Sequence, residues 1–81
     1  MAKGKGSHVE GQDNLVLGDY SHAEGGVTLA EGNYSHTEGY KTESLGYASH
    51  GEGFYSISTG LSSHAEGYST KASGQASHAE G

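Results

Sequence analysis

The chain has 81 residues, with ten acids against four lysines, no arginine and no cysteine, and a formal charge of −6 with histidine neutral. Leu, Ile, Val and Phe number only ten beside fifteen glycines, which excludes an ordinary globular core and has the composition of a disordered chain. The acid excess excludes binding to nucleic acid through its phosphates, and no apolar run approaches the ~20 residues that insert across a membrane.

Periodicity overrides composition. Residues 1–6 carry two lysines and no apolar segment after them, so they are not a secretory signal. Instead, Ala2 and Gly4 fit the end of a preceding repeat. Five complete 14-residue units then follow without insertion, namely SHVEGQDNLVLGDY, SHAEGGVTLAEGNY, SHTEGYKTESLGYA, SHGEGFYSISTGLS and SHAEGYSTKASGQA. They begin at Ser7, Ser21, Ser35, Ser49 and Ser63, and a sixth begins at Ser77. Glycine recurs at every seventh residue from Gly4 to Gly81. A fixed period means that each unit is one coil of a solenoid, stacked on the coil before it. Residues 1–81 are therefore read as a single repeat segment.

Within each coil, period-two alternation predicts two short strands, each ending at a glycine where the chain turns. The first strand carries Ser at position one and Val9, Ala23, Thr37, Gly51, Ala65 or Ala79 at position three. The second carries Asn14, Thr28, Thr42, Ser56 or Thr70 at position eight and Val16, Ala30, Ser44, Ser58 or Ala72 at position ten. A coil of 14 residues encloses only a narrow slot, so these small side chains face inward. The alternate residues are then forced outward. The expected fold is an all-β parallel β-roll, a β-solenoid of 14-residue coils. At ~4.8 Å per coil it forms a rod roughly 25–30 Å long.

Alternation of Ser-x-Ala-x-Gly with a Thr/Asn-x-Ala-x-Gly half-repeat resembles the β-roll in the heads of YadA-like trimeric autotransporter adhesins. Related rolls occur in bacteriophage tail fibres. The family's Ser-Val-Ala-Ile-Gly has its counterpart at Ser21–Gly25, Ser63–Gly67 and Ser77–Gly81, and the resemblance covers all 81 residues. It implies a left-handed roll, a parallel homotrimer, and a first strand whose outward side chains meet around the threefold axis. Here two of the family's apolar interface positions are His and Glu in every coil.

These outward columns are the candidate site. They comprise His8, His22, His36, His50, His64 and His78 with Glu10, Glu24, Glu38, Glu52, Glu66 and Glu80. Other outward columns vary; position six reads Gln12, Gly26, Tyr40, Phe54 and Tyr68. An unvarying pair suggests the same partner in every coil. A solvated face would stack like charges in register, which neighbouring strands resist. The preferred reading is a trimer interface in which His of one chain hydrogen-bonds Glu of the next, because a paired network tolerates burial that single charges do not. Four lysines and six histidines also match ten acids. On this reading the histidines have raised pKa values. The alternative is a metal-binding repeat module, with His22, Glu24, His36, Glu38, His50, Glu52, His64 and Glu66 as ligands.

No cofactor is expected, and six equivalent Ser-His pairs offer no distinct catalytic pocket, so the chain is not read as an enzyme. The second strand's outward column mixes Leu15, Leu17, Leu29, Leu45 and Ile57 with polar residues, while Tyr40, Phe54 and Tyr68 form a ladder that could meet a host receptor or glycan. The expected role is a rigid trimeric fibre segment of a cell-surface adhesin or phage tail fibre, extracellular on a cell or virion. Its open mid-coil ends suit an excerpt of a longer fibre.

Overall fold

The computed structural model describes residues 3–80, so the expectation for Ala2 and the last glycine of the series, Gly81, lie outside the described residues. Among the described residues eleven strands alternate between two sheets. They are β1 His8–Gln12, β2 Leu15–Val16, β3 His22–Gly26, β4 Leu29–Ala30, β5 His36–Thr37, β6 Glu43–Ser44, β7 His50–Gly51, β8 Ile57–Ser58, β9 His64–Ala65, β10 Lys71–Ala72 and β11 His78–Ala79. The odd strands form one sheet in the order β1-β3-β5-β7-β9-β11, and the even strands form the other. All pairs are parallel and join equivalent residues of successive coils, as His22 with His36 and Leu29 with Glu43. The chain is thus a parallel β-solenoid of about five turns. Among the described residues there is no helix, so none is long and apolar enough to cross a membrane.

The slot lies where the alternation places it. Val16, Ala23, Ala30, Ala65 and Ala72 are buried, as are Ser21, Thr28, Ser35, Thr37, Thr42, Ser44, Ser49, Ser56, Ser58 and Ser63. With such small side chains between its sheets the Cα trace measures 28 × 21 × 9 Å, and its longest dimension agrees with the length expected from the strand spacing.

Volume is not the only requirement on the inward columns. Buried hydroxyls call for acceptors, and most here bond backbone carbonyls, although Ser35 Oγ has no partner. Ser44 Oγ donates across the slot to the His36 carbonyl at 2.7 Å, and Ser58 Oγ to that of His50 at 2.6 Å. Thr37 Oγ1 does the same to Leu29 at 2.9 Å. At position one, Ser49 and Ser63 donate to the carbonyls of Gly46 and Gly60 at 2.7 Å and so close one turn. At position eight, Thr42 and Thr70 donate to Glu38 and Glu66 at 2.9 Å and close the other. Hence Ser leads every repeat and Thr or Asn recurs seven residues later.

Both glycine series stand where the chain turns, as expected, and Gly32, Gly46 and Gly60 accept the N–H three residues on. The two series are needed for different reasons. Gly11, Gly25, Gly39, Gly53 and Gly67 have φ of 104–109°, a region that L-residues rarely enter. Gly18, Gly32, Gly46 and Gly60 do not. Their requirement is steric, because a Cβ on any of them would overlap the carbonyl oxygen of the glycine one coil on. Apart from Gly6, with φ of 64°, the left-handed turn positions fall on non-glycine residues. Asp13, Val27, Lys41, Tyr55 and Ser69 have φ of 52–60°, and Tyr20, Tyr34, Ala48, Ser62 and Ala76 have φ of 56–61°. Val27 stands out among them, since β-branched residues avoid this region most. Backbone bonds between coils hold these turns irrespective of side chain: Tyr34 N–H donates to Asp19 O at 2.9 Å and Lys41 N–H to Gly26 O at 3.0 Å.

Candidate functional site

Position two opens each strand of the six-stranded sheet. Position four lies two residues on, within β1 and β3 and just past the end of the others, so the two project from the same face. Every candidate residue is on that outward face of the six-stranded sheet. In-register stacking turns the histidines into one continuous pile. Ring centroids of His22, His36, His50, His64 and His78 follow one another at 4.8, 4.6, 4.5 and 4.8 Å, with successive planes within 5° of parallel. Only His8 is tilted, by 42° to His22. The glutamates form a second column beside the first. With the adjoining turn glycines they line a groove from Glu10 to Glu80.

Within each coil, His Nε2 approaches the Glu two residues on. The separations run from 2.9 Å for His22–Glu24 and 3.0 Å for His64–Glu66 through 3.3 Å for His36–Glu38 to 3.9 Å for His78–Glu80. His64 also meets Glu52 of the preceding coil at 3.3 Å. Each histidine therefore has a carboxylate neighbour in its own chain, which sequence reasoning assigned to a neighbouring chain. The pairs of the inner coils are 30–38% exposed, and those at the ends 51–66%. Stacking itself does this covering, because each ring lies under the next.

Proximity does not complete the bonding. The Nε2 atoms of His22, His36 and His50 are shut off from solvent and make no hydrogen bond. For His22 and His36 the carboxylate oxygens at 2.9 and 3.3 Å are near enough, so direction rather than distance denies the bond.

Stacking also sets the electrostatics. Burial, then the imidazoles of His36 and His64, hold His50 below the ordinary histidine value, against the pull of Glu52. This overturns, for His50, the expectation of a raised pKa. Three neighbouring carboxylates shift in opposite directions. A hydrogen bond to Glu52 raises Glu38 and Glu66, while the bond from Glu38 is the main cause lowering Glu52.

The pH response follows from these directions. In chelator-washed protein, stability is expected to be fully present above the unfolded histidine value of about 6.5 and to fall as pH drops below it, because the unfolded chain takes up a proton that folded His50 resists. Glu52, with its lowered pKa, loses its contribution as pH falls further, through its folded value. Glu38 and Glu66, raised from 4.5, bind protons more readily in the fold and restore stability as pH falls through their folded values. Thermal melts should show a plateau from neutral pH upward, a decline near pH 6, and a flattening below it. His50→Gln should shrink the decline. A maximum in mildly acidic solution would mean instead that His–Glu attraction governs the column.

The remaining outward features are of a different kind. Tyr40, Phe54 and Tyr68 stack at 5.3 and 5.1 Å, with planes 15° and 4° apart. Phe54 therefore has both faces covered by its neighbours, whereas Tyr68 stacks on one side only and is 68% exposed. Leu15, Leu29, Leu45 and Ile57 are half-buried along the second sheet, and Leu17 is 39% exposed. Comparison with known proteins adds no relative: no protein family, no curated protein and no solved structure matches this chain.

Proposed function

We propose that this chain is a rigid segment of an extracellular fibre, on a cell surface or virion. In this reading three copies of a left-handed roll assemble in parallel around their His–Glu faces and present surface for attachment to a host. The observation that carries it is the contrast between columns. Position six changes from Gln12 to Gly26 to Tyr40, whereas His and Glu are unchanged in all six coils. Free solvent asks nothing so constant of a surface.

Thinness supports the same reading. Among the described residues five apolar side chains are buried, four of them alanine, and they supply little of the burial that a domain of this size needs to be stable alone. Covering the His–Glu face would remove more surface from water. In a trimer the carboxylates of one copy would meet imidazoles of the next from a direction that their own histidines leave open. Folding and association should then be coupled. Sedimentation equilibrium is expected to show a species of three chains, with a melting temperature that rises with protein concentration. A folded monomer whose melting ignores concentration would overturn the assembly.

A further inference from the structure

We propose that the His–Glu columns bind divalent transition-metal ions, zinc above all, with one ion to every two coils and three ions to the chain. All ligands come from one chain, so this inference is independent of the trimer.

The donors are already gathered. In five successive groups, among them His22-Glu24-His36, His36-Glu38-His50 and His50-Glu52-His64, two imidazoles of adjacent coils and the carboxylate between them bring their ligand atoms within 4.8 Å of one another. A tetrahedral zinc site with bonds of about 2.0–2.1 Å needs its donors about 3.3–3.5 Å apart. Binding would therefore tilt the two stacked rings of each pair toward the ion. Imidazole with carboxylate is a donor set suited to zinc and other first-row ions. The second observation is the state of the nitrogens. Nε2 of His22, His36 and His50 is withdrawn from solvent with no hydrogen bond, although a carboxylate stands beside each at 2.9–3.7 Å. A cation between imidazole and carboxylate would satisfy both.

Stoichiometry follows from the lone pairs. Neighbouring groups share a histidine, and one Nε2 can bind one ion. Six imidazoles taken two at a time allow three ions, held by His8 with His22, His36 with His50, and His64 with His78. Glu10, Glu38 and Glu66 complete the triads, and the carboxylate of the second coil or a water can supply a fourth ligand. Ions two coils apart are ~9.6 Å from one another, about one screening length at physiological salt, so the repulsion that would attend an ion in every coil is relieved. Three divalent ions also carry six positive charges against the formal −6.

The pairing is tested with zinc chloride titrated into chelator-washed full chain, following calorimetry, bound metal after dialysis, and far-ultraviolet circular dichroism for folding. Three ions per chain are expected. His8→Gln with His78→Gln leaves two adjacent pairs and should lower the count to two. His22→Gln with His64→Gln removes the same number of imidazoles but strands His8 and His78, leaving only His36 with His50, and should lower it to one. Should the inner pair of substitutions impair folding, the exposed outer pair and the absolute count still decide. No binding overturns the inference, as does a count of six falling to four in both variants. Two ions per chain in the unaltered protein would also overturn it, since that count means one ion per layer shared among three chains.

Discussion

Replacing Gly25 by alanine is expected to cost more than about 3 kcal/mol, whereas the same change at the next residue, Gly26, should fall within about 0.5 kcal/mol. Gly25 has φ of 107°, and a Cβ there would overlap the backbone oxygen of Gly39. That oxygen cannot retreat, because it accepts the Gly26 N–H at 2.9 Å and belongs to the coil above. Strain and overlap therefore add. Gly26 lacks the left-handed φ, and its added methyl would meet only the Tyr40 ring, at 3.2 Å from Cδ2, which can swing aside. For a chain of this length the first loss corresponds to a fall in melting temperature of roughly 12–24 °C. Thermal melts of the two variants at one concentration make the comparison. Equal melting temperatures would mean that coil spacing yields to a methyl group and that stacking is looser than described.

The second large effect concerns the slot. Ala72→Leu is expected to destabilise by ~1–3 kcal/mol or more, because the added carbons enter a space with no spare volume. Ala72 is 2% exposed and stacks on Ser58, itself fully buried. Lys71→Leu, one residue earlier, should be neutral or slightly favourable. Lys71 is exposed and pairs in register with Ile57, so a leucine there extends the apolar column of the second sheet. Denaturant midpoints for the two variants would settle the assignment of faces. A Lys71→Leu loss as large as that of Ala72→Leu would mean that the strand is turned the other way.

The inward and outward faces were legible in the sequence because small residues recur with period two and the coil admits nothing larger. Less legible was why those residues are so often hydroxylated: Ser44 and Thr42 answer to carbonyls eight and four residues away, partners that only the closed coil supplies. The left-handed turns at Val27 and Tyr34 could not be found from residue type. Neither side chain favours that region, and bonds from the coil below impose it. In the site, the constancy of His and Glu marked the columns, but their internal pairing depends on ring orientation, which spacing leaves open. The lowered pKa of His50 escaped for a related reason. Its carboxylate partner was visible in the sequence, while the burial that outweighs it arises only when rings stack.

Every strand here hydrogen-bonds only to the equivalent strand one coil above or below. The molecule consequently has no centre and no natural length. An ordinary domain loses its core when a segment is removed, but a stack loses one interface. Gaining or losing a whole coil returns the same cross-section with the columns still aligned, so length becomes a variable that can change without redesign. A change of seven residues would be another matter, since it would bring His and Glu onto the opposite sheet. The repeat is a ruler whose smallest division is the full coil.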